Sequence, residues 1–208
     1  MRRPEFLARQ AAHPTGLLGR MLVRLMASET ASFNREVIAA LAPAPGERIL
    51  ELGFGHGRTL AETANEASGS TFAGIDVSAD ALCVAEGRCR KLIAEGRLEL
   101  RVGESAALPW DDGTFDKAYA VHTLYFWRDP QREVRELARV LKPGGLLVLG
   151  FREPSDAAVA TFPATVYRFR SAQEVEALLA SAGFVATETR LAGGSDLQIT
   201  VARTPSSA

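Results

Sequence analysis

Ile49-Leu50-Glu51-Leu52-Gly53-Phe54-Gly55-His56-Gly57 decides the fold of this chain. An apolar run rich in β-formers meets an acid, then three glycines at alternate positions, and a helix-like pattern follows. A buried parallel strand that turns sharply into a helix reads this way. Glycines at such a turn supply positive φ and let a ligand lie directly against the main chain. Asp76, 19 positions past Gly57, ends a second apolar run, Phe72-Ala73-Gly74-Ile75. That is the spacing of an acid that grips a ribose, so the two segments together predict a site for a nucleoside-bearing cofactor.

The glycine spacing narrows the choice of cofactor. A dinucleotide fingerprint, G-x-G-x-x-G, needs its third glycine where Arg58 stands, and here glycine comes one residue early, at Gly57. Past Asp76, Ser78 is a natural N-cap for a helix over Ala79 to Ala94. A strand-like run, Leu98 to Val102, ends in Gly103-Glu104-Ser105. Leu108-Pro109-Trp110-Asp111-Asp112-Gly113-Thr114-Phe115-Asp116 then leads into a strand, Lys117 to His122. Glu133 to Leu141 is helical in period and stops at Lys142-Pro143-Gly144-Gly145, before the apolar strand Leu146 to Phe151.

These segments, in this order, resemble the motifs of the class I S-adenosylmethionine-dependent methyltransferases: E-x-G-x-G-x-G, an acid at the end of the second strand, the segment running to Phe115-Asp116, and L-K-P-G-G. The likeness covers Arg48 to Phe151 well and approaches the small-molecule branch that holds quinone- and sterol-type methyltransferases. It implies an antiparallel hairpin near Phe184 to Arg190 and Leu197 to Ala202. The alternation of strand and helix itself predicts an α/β fold, a Rossmann-like, mostly parallel sheet with helices on both faces. With the hairpin the sheet has seven strands. A helical cap, residues 1–45, should precede one compact cofactor-binding unit, residues 46–208.

Composition bounds the rest. A length of 208 residues, 47% hydrophobic and 24% charged, fits one globular domain. A net charge of −1 gives no footprint for nucleic acid. No 18-residue apolar run is present, and a cytoplasmic protein is expected. Cys83 and Cys89, six apart in one predicted helix, point to neither a disulfide nor a metal site. The arginine-rich N-terminus carries an apolar stripe, Leu17-Leu18, Met21-Leu22 and Leu25-Met26, which reads as a helix packed over the cofactor domain. Contact of that segment with a membrane surface is the alternative. A further helix is expected over Thr30 to Leu41.

The resemblance implies roles residue by residue. Gly53, Phe54, Gly55 and Gly57 should pass under the methionine and ribose of S-adenosyl-L-methionine, Glu51 should hold the methionine end or brace the loop's own amides, and Asp76 should accept from both ribose hydroxyls. Val77 should pack on the adenine or in the core, with Glu104 and the Ser105 amide at its edge. His122 lies where the methyl group should be, as a cofactor contact and the first candidate for a general base, with His56 second. Tyr125, Trp127 and His13 are candidates for holding a small methyl acceptor, whose other wall should come from the insertion Arg152 to Arg170. A protein that binds the cofactor without catalysis would use the same glycines and Asp76. A nicotinamide dehydrogenase is disfavoured by Arg58 and by the later motifs.

Overall fold

The computed structural model describes residues 4–13, 15–16, 30–193 and 196–206. The predicted apolar stripe over residues 17–26 lies outside them, as do most of the N-terminal arginines. In chain order the elements are α1 (Glu5–Ala12), α2 (Ala31–Leu41), β1 (Arg48–Leu52), α3 (Arg58–Glu66), β2 (Thr71–Asp76), α4 (Ala79–Ala94), β3 (Leu98–Val102) and β4 (Phe115–Val121). After a short 3-10 turn, Leu124–Phe126, come α5 (Pro130–Val140), β5 (Leu141–Arg152), α6 (Asp156–Thr161), α7 (Ala172–Ser181), β6 (Val185–Ala192) and β7 (Leu197–Arg203). Among the described residues no helix is long and apolar enough to cross a membrane.

The seven strands form one open sheet in the order β3-β2-β1-β4-β5-β7-β6. The first five run parallel, and β7 pairs antiparallel with both β5 and β6, which is the expected hairpin. Because β1 is followed by β2 on one side and flanked by β4 on the other, strand order reverses beside β1, and ligands in such sheets sit outside the carboxyl ends at that point.

Side chains that alternate along each strand split the core in two. Leu50 and Leu52, Ala118 and Ala120, and Leu147 and Leu149 join α5 and α7 on one face. Ile49, Tyr119 and Val148 join α2, α3 and α4 on the other. Helix α2 belongs to that second core through Phe33, Val37 and Leu41. It docks where β5 carries Gly150, whose Cβ, if present, would stand 2.6 Å from Val37 Cγ2.

Two boundaries differ from expectation. Helix α5 starts at Pro130, not Glu133: Asp129 caps it by accepting from the Arg132 amide, and proline fills the first position, where a missing N–H costs nothing. Lys142-Pro143-Gly144-Gly145 is not a turn ahead of the strand but part of β5, in which Leu141 pairs with Phe115 before the register shifts.

Candidate active site

The carboxyl ends of β1, β2, β3 and β4 surround a cavity of about 1260 Å³, closed on other sides by residues of α1, α2 and the segment after β5. The glycine loop forms its floor. Gly53, Gly55 and Gly57 all have positive φ, at 72°, 52° and 68°. They do three different jobs. A Cβ on Gly53 would strike Thr123 Cγ2 at 2.3 Å, and one on Gly57 would meet Ala85 Cβ at 2.9 Å, whereas one on Gly55 would meet nothing within 4 Å. Gly53 therefore lets the loop pack against the exit of β4, and Gly55 leaves bare main chain along the cavity. Gly57, expected beside the cofactor, is not among the residues lining the cavity and brings α3 against α4. Phe54 lines the cavity but is only 3% exposed, its ring packed over Gly74 in the core, not among rim aromatics.

Asp76 ties the loop together. One carboxylate oxygen accepts from the Gly55 amide and the other from the Ser78 amide, each at 2.9 Å. Each oxygen keeps a further lone pair. Burial raises the Asp76 pKa, opposed by these amides and by His13, which lines the same cavity.

Glu51 is 5% exposed and its Oε2 has no hydrogen-bond partner. Burial pushes its pKa up to about 8; the Tyr119 hydroxyl lies near enough to oppose this without completing a hydrogen bond of ordinary geometry, and Asp76 adds to the rise.

The two candidate bases are both held neutral. His56 Nδ1 accepts from the Arg58 amide at 3.0 Å, so the ring caps the start of α3 and occupies an N–H that an anion would otherwise take. Burial, then Arg88 and Arg58, lower its pKa to about 4. His122 adopts left-handed backbone, φ 57°, with its amide bonded to Gly150 O at 2.8 Å. Its Nδ1 lies 3.0 Å from the Tyr125 hydroxyl, which accepts from the Arg152 amide. A tyrosine proton pointing at Nδ1 pairs both atoms in the tautomer that carries the imidazole proton on Nε2. Burial and Arg152 lower the His122 pKa to about 4.

At the far end, Val77 is 40% exposed rather than core, and it shares the lining with Glu104 and Ser105. Glu133, which the sequence reading passed over, is buried beside Ser105, and burial raises its pKa to about 7. One wall of the cavity is aromatic. Tyr125 packs on Tyr167 and Phe169, with centroids 5.8 and 5.1 Å apart, and Phe162 lies 4.8 Å from Tyr167. Residues of the segment Arg152 to Arg170 supply this wall of the cavity, held by the Arg168 amide on Tyr125 O and Arg170 on Leu124 O. Trp127 lines the cavity at 3% exposure. Asn34 on α2 and Thr123 after β4 also line it; neither was singled out, because a lone Asn in a helix and a Thr in a loop carry no motif.

Residues 50–149 match a methyltransferase domain family. The chain is 32% identical over 166 residues to an O-methyltransferase of Pyrenophora dematioidea, covering 74% of this chain and 60% of that protein. It is 40% identical over 110 residues to a demethylmenaquinone methyltransferase of Clavibacter sepedonicus, covering 53% and 43%. It thus spans between 43% and 60% of the length of these relatives. A solved SAM-dependent methyltransferase structure from Aquifex aeolicus superposes with TM-score 0.74 at 20% identity, over 88% of this chain and 97% of the other, a likeness of fold. The matched domain and these relatives support the class I S-adenosylmethionine-dependent methyltransferase superfamily for this chain.

Proposed function

We propose that this protein binds S-adenosyl-L-methionine along the glycine loop and catalyses transfer of its methyl group to a small, partly apolar acceptor under the aromatic wall. The observation that carries the reading is the cavity that joins Gly53 and Gly55, both with positive φ, to the Asp76 carboxylate and the orphaned Glu51 oxygen. Two carboxyl groups at one floor match a ligand rich in donors, with ribose hydroxyls at Asp76 and a cationic methionine end at Glu51, whose proton the bound cation would draw off. At the start of α3 the Arg58 amide, which a pyrophosphate would otherwise use, is taken by His56. A volume of about 1260 Å³ exceeds the roughly 300–1000 Å³ of single-ligand pockets, leaving room for an acceptor.

When bound, the cofactor supplies an electrophilic methyl group on a sulfonium. The chain's own part is to hold the acceptor in line with it and to keep water away. Tyr125, Tyr167 and Phe169 would press the acceptor toward His122, whose Nε2–H would orient an acceptor oxygen. In this tautomer His122 donates; acting as a base would first require moving its proton to Nδ1. Val77, Glu104 and Ser105 would frame the adenine, and His13 would close over the ribose.

Calorimetric titration with S-adenosylhomocysteine, beside Asp76→Ala, tests the cofactor site. Saturable binding to the wild type, weakened at least about tenfold in the variant, is expected from losing charge-assisted bonds. No binding to the wild type refutes the reading. Binding without release of S-adenosylhomocysteine across a panel of phenols, quinols and amines would instead mark a non-catalytic binder.

A further inference from the structure

Arg152, the last residue of β5, brings a positive charge to the cavity beside His122. Its half-buried guanidinium donates through Nη1 to the Asp196 carboxylate, just ahead of β7. That acid is fixed in place: the Glu153 amide donates to Asp196 O at 2.8 Å, and Ser155 Oγ donates to its carboxylate at 3.2 Å. Arg152 lines the cavity while Asp196 and Ser155 do not, so the acid braces the guanidinium from outside. Among the described residues the other guanidinium N–H groups have no hydrogen-bond partner, and none of them is sealed from solvent.

The charge reaches both members of the His122–Tyr125 pair, lowering the pKa of each. Asp196 and Tyr167 oppose it at Tyr125, but no carboxylate does so at His122. Asp76 is engaged with the Gly55 and Ser78 amides, and Glu133 sits beside Ser105. The corner therefore offers a guanidinium and, in the tautomer that pairs Nδ1 with Tyr125, an imidazole N–H, with no group poised to take a proton. Such a corner repels a cation and pairs an anion. An amine gains positive charge as it is methylated, next to a charge of the same sign, whereas an oxyanion is held by charge-assisted hydrogen bonds. The rings of Tyr125, Tyr167 and Phe169 suit a planar partner.

We propose that Arg152, braced by Asp196, selects a methyl acceptor that reacts as its oxyanion, an acidic phenol or enol, over amines and alkyl alcohols. The acceptor gives its proton to water before it is methylated. A lone pair on its oxygen then forms the bond to the methyl carbon as the carbon–sulfur bond breaks toward sulfur. The negative and positive charges cancel, and no protein base takes part. This assignment rests on the cofactor reading above.

The probe is 4-nitrophenol, whose absorbance separates phenol from phenolate. It is titrated into protein loaded with S-adenosylhomocysteine, as wild type, Arg152→Lys and the double variant Arg152→Gln/Asp196→Asn. The double variant removes both charges and leaves no acid unpaired, and thermal midpoints check its fold. Wild type and Arg152→Lys should bind the phenolate at least about tenfold more tightly than the phenol, read as a fall of about one in the pKa of the bound phenol. The double variant should lose that preference and keep its affinity for S-adenosylhomocysteine within about twofold. In turnover with S-adenosyl-L-methionine, the rising limb of kcat/KM against pH should follow the acceptor and lie higher for phenol than for 4-nitrophenol. A limb at one pH for both phenols marks a protein base and overturns the proposal. So does a double variant that keeps the preference for phenolate, or methylation confined to amines. Protein that binds S-adenosylhomocysteine but not 4-nitrophenol overturns this assignment alone. Protein that does not bind S-adenosylhomocysteine overturns the cofactor reading and this assignment with it.

Discussion

His122 shows how a residue named by position acquires its chemistry from its neighbours. Sequence places it at the end of β4; the Tyr125 hydroxyl, which accepts from the Arg152 amide, pairs its Nδ1 and so suits the tautomer with the proton on Nε2, and burial keeps it neutral down to about pH 4. A neutral donor is therefore present throughout the physiological range. The ratio kcat/KM should show no limb between pH 6 and 8 that His122→Gln abolishes, and that variant should lower kcat by less than about tenfold because its amide N–H replaces the ring's. Loss of a true general base would cost about 10²–10⁴. A drop of that size in single-turnover rate would restore His122 as the base. Asp76 makes the complementary point: the spacing that marks it as a ribose ligand also puts it in bonding distance of the Gly55 and Ser78 amides, so it shapes the loop it serves.

At the scale of elements, the site depends on two close approaches that only glycine permits. Gly57 brings α3 onto α4, where a Cβ would meet Ala85 Cβ at 2.9 Å and its Cα at 3.2 Å, and backbone cannot give way as a side chain can. Gly150 lets α2 dock on β5 against Val37 and Phe33. Gly57→Ala and Gly150→Ala should each cost about 1–3 kcal/mol from overpacking, seen as a fall of roughly 2–12 °C in thermal midpoint. Gly150→Ala should also weaken S-adenosylhomocysteine, since α2 carries Asn34, which lines the cavity. Helix α7 is the contrast. Ser171 and Glu174 form a reciprocal capping box at its start, remote from the cavity. Ser171→Ala should cost about 0.5–2 kcal/mol and leave cofactor affinity unchanged in the same titration.

At the scale of the whole molecule, the buried ionisable groups set the pH dependence of stability. Glu51 has a folded pKa of about 8 against an ordinary 4.5, so between those values the folded chain holds a proton that the unfolded chain has released. Stability contributed by this group falls as pH rises through that window. Glu133, at about 7, acts in the same direction up to neutrality. His56 and His122, at about 4 against 6.5, act oppositely, and their contribution is complete by about pH 6.5. The thermal midpoint of the free protein should therefore fall from pH 6.5 to 8, and Glu51→Gln should flatten that fall. A midpoint unchanged over this range in the wild type would show that Glu51 is already ionised. The sequence by itself determined the sheet, the glycine loop and Asp76, because burial of alternate apolar side chains and positive φ are local demands that leave local marks. It left Glu51 open between ligand and brace, and it carried no mark for Asn34, Thr123 or Glu133. Their place in the cavity lining is decided only when α2, the exit of β4 and α5, far apart along the chain, come together around it. The same holds for Gly57 and Phe54, whose place in the motif suggested ligand contact. Packing sets Gly57 against α4 and lays the Phe54 ring over Gly74 while it still lines the cavity.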